Sequence, residues 1–187
     1  DITTGEFKVS EVEGDTEYLK LFNELNKIEP KEILVNPSFY ESMKERIDDF
    51  IQRNESTVTL VQKVRESEKM LMEYFGVVSL ESYGINNKKA LIEAAAMALD
   101  YAVTMQVEGD LTVEKIEFLN ISNFAEINSI TRKNLELTKN QREKTVYGSL
   151  LWVMDKCRTS MGTRLLKRFI NSPLLDVDEI SERQESV

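Results

Sequence analysis

The chain has 187 residues, 41% hydrophobic and 30% charged, with a net charge of −9. That is enough for one domain and part of another, and the composition is that of a soluble globular chain, with Gly and Pro too scarce for long disordered linkers. A single cysteine, Cys157, and no histidine exclude an internal disulfide, a Ser-His-Asp or Cys-His mechanism, and the usual zinc sites.

Residues 2–12 alternate loosely around Phe7, Val9 and Val12, with Gly5 inside the run, and read as a strand or hairpin edge bulged at the glycine. Asp15 is a good N-cap for a helix over 16–28, where Leu19, Phe22, Leu25 and Ile28 recur every three residues before Pro30. A strand over 32–36 lies between Pro30 and Pro37. A helix follows, with Phe39, Met43, Ile47 and Phe50 on one face, then a β-branched strand over 57–61. A short helix over 67–75 ends at Gly76, and 77–87 reads as loop. The strongest helix, 88–106, shows Leu91, Ala95, Ala98 and Leu99 on a small-residue face, and a last strand includes Ile116 and Phe118. From 123 onward the pattern is helical: 130–137, 149–157, 160–170, and a fourth helix capped by Asp176 or Asp178. Residues 1–122 therefore read as an α/β domain and 123–187 as an all-α one. Both ends read as cut from a longer chain.

The charge is uneven. Residues 1–129 carry 13 basic and 25 acidic side chains, whereas residues 130–171 carry 10 and 3. The acidic part repels a phosphate backbone; the basic segment faces DNA, pairs with acidic neighbouring surfaces, or is a solvated helix face. The apolar stretch from Ala90 to Val103 is broken by Glu93 and Asp100 and is too short to cross a bilayer. The lone cysteine fits a reducing cytoplasm, which is the expected location. Cys157 is expected to be a small core hydrophobe, and the aromatics, at helical core spacing, to be packed rather than displayed. Gly148 and Gly162 are candidate pivots or helix boundaries.

Neither a Gly-x-x-x-x-Gly-Lys-Ser/Thr loop nor a Gly-x-Gly-x-x-Gly motif occurs. Asp1 and Asp100 are the acids that a metal-dependent nuclease would place on a strand and a helix; strand punctuation and a solvent-side helix position are the preferred reading of them.

The C-terminal third is more specific. Thr131-Arg132-Lys133-Asn134-Leu135-Glu136-Leu137, then Ser149 to Lys156, Thr159 to Ile170 and Pro173-Leu174-Leu175-Asp176, resemble in order and spacing the opening of the lever domain of the MutS family of DNA mismatch repair proteins. Asp1-Ile2-Thr3-Thr4-Gly5-Glu6-Phe7, Pro30 to Leu34 and Tyr74-Phe75-Gly76 are similar to that family's connector domain. Asn128 and Cys157 depart from it, standing where aspartate and threonine are usual, and the match over 38–60 is weak.

The resemblance implies a ribonuclease H-like connector without nuclease activity over 1–122, then a truncated lever or core bundle over 123–187. It implies relay between mismatch-binding and ATPase domains that are not in this stretch, in a homodimer that binds mismatched double-stranded DNA and recruits MutL. No cofactor is implied for this piece, and ATP and Mg for the full-length protein. Its docking surface for MutL maps to Glu66, Lys69 and Met70. The alternatives are an active ribonuclease H-like nuclease and a MutS paralogue acting in recombination.

Overall fold

The computed structural model describes residues 5–12, 17–105 and 113–186. Asp1 and Asp15, two of the residues singled out above, lie outside them. The elements run β1 (Phe7–Val9), α1 (Glu17–Ile28), β2 (Glu32–Val35), α2 (Pro37–Asn54), β3 (Thr57–Leu60), α3 (Ser67–Phe75), α4 (Lys89–Met105), β4 (Ile116–Phe118), α5 (Ser129–Asn134), α6 (Leu150–Met154), α7 (Ser160–Asn171) and α8 (Val177–Glu185). Short 3-10 turns occupy Leu80–Tyr83 and Ile121–Asn123. The architecture is mixed α/β.

The chain forms two compact units, one from Asp1–Val12 and Pro30–Asn120, the other from Glu13–Glu29 and Ile121–Val187. Helix α1 thus joins the second unit, although by sequence order it falls among the strands.

In the first unit, β2, α2 and β3 make a parallel βαβ unit, with Glu32 opposite Thr57 and Val35 opposite Leu60. Local chemistry sets its helix. Asn36 accepts the Phe39 N–H at 2.8 Å, Pro37 follows with its φ already helical, and Met43, Ile47 and Phe50 are buried at one-face spacing. Strand β1 pairs parallel with β4, Phe7 opposite Ile116 and Val9 opposite Phe118. The strand expected here is present, and its partner lies more than 100 positions away, which no local signal announces. Behind this pair lies the main core, where Leu71, Leu80, Ile85 and Ala96 are at most 1% exposed and α3 packs on the small-residue face of α4.

The second unit has a small core of Leu137, Leu151 and Ile170, with Ile127 and Leu166 against it. Helices α5, α6, α7 and α8 each start at a polar N-cap. Asn128 accepts the Thr131 N–H at 2.8 Å, Ser149 that of Trp152, Thr159 that of Gly162, and Asp176 those of Asp178 and Glu179. Asparagine at 128 thus does the capping that aspartate would do. The helix expected over 130–137 ends at Asn134, since Glu136 takes a left-handed φ of 47°. The helix expected to reach Cys157 ends at Met154. Cys157 is exposed rather than buried, because the chain has left the helix before reaching it. Among the described residues, no helix is long and apolar enough to cross a membrane.

Candidate functional site: the α3 edge and the basic helical unit

Helix α3 follows β3 through a short loop. Glu66, at its N-cap, adopts a left-handed backbone (φ 53°, ψ 46°) and makes no side-chain cap bond. Its carboxylate instead meets Lys69 Nζ at 3.3 Å, both side chains being well exposed at 71% and 61%. Met70, one residue on, is half-buried and packs against the core behind α3. The fold therefore brings Glu66 and Lys69 together as a surface ion pair, and Met70 fixes the helix that carries them. Ser67 Oγ donates to the Val64 carbonyl at 2.9 Å, and Gly76 closes α3 in the left-handed region at φ 65°. This edge is a positioned charged surface.

The basic segment is partly neutralised within its own unit. Lys139 and Lys167 reach the Glu29 carboxylate at 3.2 and 2.7 Å. Burial pushes the Glu29 carboxyl up, but the Lys167 and Lys139 ammonium groups outweigh it and hold it below the ordinary carboxylate value. Arg132, only 8% exposed, donates through Nη2 to the Ile127 carbonyl at 2.9 Å, while its Nε and Nη1 have no hydrogen-bond partner. Burial lowers its pKa, opposed by the nearby Glu24 and Glu29 charges. Sequence reasoning counted Arg132 as surface charge; only the packing of α1 on α5 shows otherwise.

Tyr147 and Trp152 also depart from expectation. Their rings touch at 4.7 Å but remain 66% and 48% exposed, displayed within the basic segment rather than packed in a core. Asp100 is exposed on α4, and no group of three or more acidic or cysteine side chains suited to a metal ion occurs among the described residues. Gly148 has a φ of 81° directly before the Ser149 cap, and Gly162 lies in the first turn of α7; both positions are helix boundaries.

Comparison with known families decides what this arrangement belongs to. The model of MutS domain II matches residues 1–117, and that of MutS domain III matches residues 130–187. The chain belongs to the MutS family. It is 38% identical over 184 residues, 98% of its length, to a DNA mismatch repair protein MutS of Fusobacterium nucleatum. It is 36% identical over its whole length to that of Lachnoclostridium phytofermentans and 34% to that of Syntrophomonas wolfei. The chain spans 20% of the first two relatives and 22% of the third. The two matched MutS domains meet between residues 117 and 130, the interval that holds β4's end and the Ile121–Asn123 turn.

Proposed function

We propose that this chain is the connector-and-lever module of a MutS mismatch repair protein, relaying between mismatched-DNA binding and ATP hydrolysis carried out elsewhere in the polypeptide. The observation that supports it most is the side-by-side match of domains II and III, at 38% identity to a named mismatch repair protein. In this reading residues 1–122 are a ribonuclease H-like connector without nuclease activity, and 123–187 open a helical lever bundle. The module is catalytically silent, and the parent is a cytoplasmic homodimer that binds mismatched DNA, ATP and Mg.

In this reading ATP and Mg are held elsewhere in the polypeptide. This chain has no phosphate-binding loop, and its described carboxylates do not gather into a metal-holding group. What the module supplies is mechanical. Two units with separate cores can reorient as bodies, and both distant sites can bias that reorientation.

The α3 edge is the proposed contact for MutL, with Glu66 and Lys69 as its charged pair and Met70 as its apolar anchor. An exposed pair of this kind adds only about 0–1 kcal/mol to stability, so its charges are available to choose a partner. The test places this chain in the Fusobacterium nucleatum relative in place of the matched stretch, in a strain lacking its own MutS. A low mutation frequency is expected, and the swap E66K/K69E should raise it and weaken MutL capture while leaving the melting temperature unchanged. Normal MutL capture by the swapped protein removes the α3 assignment; failure of the unswapped chimera to repair, though folded, removes the relay reading.

A further inference from the structure

Helix α1 is held to the second unit by charge more than by apolar packing. Among its described side chains Lys27 alone is buried, whereas Leu19 and Ile28 are well exposed and Phe22 and Leu25 only half-buried. Lys27 pairs with Glu24 on the same helix. The buried Arg132 of α5, the helix on which α1 packs, lies near both Glu24 and Glu29. Glu29 supplies the clasp, its carboxylate taking Lys167 at 2.7 Å and Lys139 at 3.2 Å. The three side chains of this clasp keep between 29% and 49% of their exposure. Such pairs can therefore open without emptying a core, and reversing one charge opposes them directly.

The path of the chain makes this seat consequential. Residues 13–29 belong to the second unit, whereas 1–12 and 30–120 belong to the first, so the chain crosses between units at 12–13, 29–30 and 120–121. With α1 seated, all three crossings restrain the units. With α1 released, residues 13–29 become a loop of the first unit, and the crossing at 120–121 alone joins the two. Glu29 stands at the middle crossing, directly before Pro30. Its φ of 50° is left-handed, at a helix-closing position where its N–H reaches the Leu25 carbonyl at 2.9 Å and where glycine is usual. The residue that clasps the two lysines is thus also the one whose backbone gains freedom when the clasp opens.

We propose that α1 is a releasable latch: while the Glu29 carboxylate holds Lys139 and Lys167, three chain crossings restrain the two units, and opening the clasp leaves one about which they reorient. The inference rests on the relay reading and names the step that gates it.

The test uses the Fusobacterium nucleatum chimera, with amide exchange followed by peptide mass mapping. Mismatched duplex DNA with ATP and Mg should quicken exchange over 17–29 at least about fivefold relative to the free protein, while α4 changes by less than about twofold. This arm needs no variant. E29K should give fast exchange over 17–29 without DNA or nucleotide, leave α7 within about twofold of its native rate, and raise the mutation frequency. Adding K139E/K167E to E29K restores the pairing with the signs exchanged and should return both readouts toward the native values. Exchange over 17–29 that ignores DNA and ATP in a chimera that repairs mismatches removes the latch and leaves the relay reading standing. Quickening of α7 as large as that of α1 in E29K would make Glu29 an ordinary stabiliser of the second unit, and overturns the proposal. So does a folded E29K/K139E/K167E protein in which α1 stays fast. A folded chimera that does not repair removes the relay reading, and the latch with it.

Discussion

The Glu29 carboxylate accepts Lys167 Nζ at 2.7 Å, joining residues 138 positions apart and tying the end of α1 to α7. Lys139 approaches the same carboxylate at 3.2 Å, so one half-buried acid balances two cations of the basic segment. Removing it leaves both lysines facing each other. E29Q is expected to destabilise the second unit by about 1–3 kcal/mol, read as a lower urea midpoint.

The same residue gives a pH signature. Glu29 is held below the ordinary carboxylate value, about 4.3 when unfolded, so folding favours its charged form. Its contribution is therefore complete above the unfolded value and is lost as pH falls through the lower, folded value. The stability gap between the native chain and E29Q should be constant from about pH 6 to 8 and close as the pH drops below about 4. A gap that widens in acid would contradict the assignment.

Arg132 makes the opposite case. Its guanidinium is buried with Nε and Nη1 unpartnered, while Nη2 donates to the Ile127 carbonyl. Replacing such a charge by an apolar chain of similar length exchanges one lost hydrogen bond for relief of two unmet donors. R132M should be neutral or stabilising, within about 1–2 kcal/mol, whereas R132A, which leaves a cavity, should cost about 2 kcal/mol or more. Equal losses in chemical denaturation would show instead that the guanidinium itself stabilises the site.

These residues also show where sequence reading stops. The helix caps at Asn36, Asn128, Ser149, Thr159 and Asp176, and the βαβ unit from Glu32 to Leu60, follow from neighbours within a few positions. Motif order likewise made the MutS family legible. The grouping of α1 with the second unit was not, since it depends on Glu29 meeting Lys139 and Lys167 and on α1 packing against α5. Arg132 sits in a basic run that reads as surface, and Trp152 in an apolar run that reads as core; each reading is reversed by packing that spacing alone does not encode. At the α3 edge, the i,i+3 spacing of Glu66 and Lys69 allowed their pairing, but nothing local signals Glu66's left-handed backbone.

Leu71 links the α3 edge to the main core. It is fully buried, one residue after the half-buried Met70 and two after Lys69 on the exposed side. Leu71→Ala should cost about 3–4 kcal/mol and loosen the helix that presents Glu66 and Lys69. Amide exchange over 67–75 should then quicken more than exchange in α7. Uniform quickening in both units would mean that they unfold as one cooperative body.

Ser149 tests the second unit at its tightest cap. It is 1% exposed, donates through Oγ to the Val146 carbonyl at 2.6 Å, and accepts the Trp152 N–H at 3.2 Å. Alanine there removes both bonds at once, leaving the Val146 carbonyl with only the Ser149 backbone N–H at 3.1 Å and an N-terminal amide of α6 short of an acceptor. A loss of about 1–2 kcal/mol is expected. The sole tryptophan lies three residues on, so the start of α6 reports its own loosening. S149A should shift Trp152 emission to the red and raise its acrylamide quenching before global unfolding begins. S149G, which loses the same hydroxyl, should behave alike; a native spectrum in both variants would mean that the backbone contacts from Leu150 to Glu136 and from Leu151 to Leu137, rather than the cap, hold α6 in place.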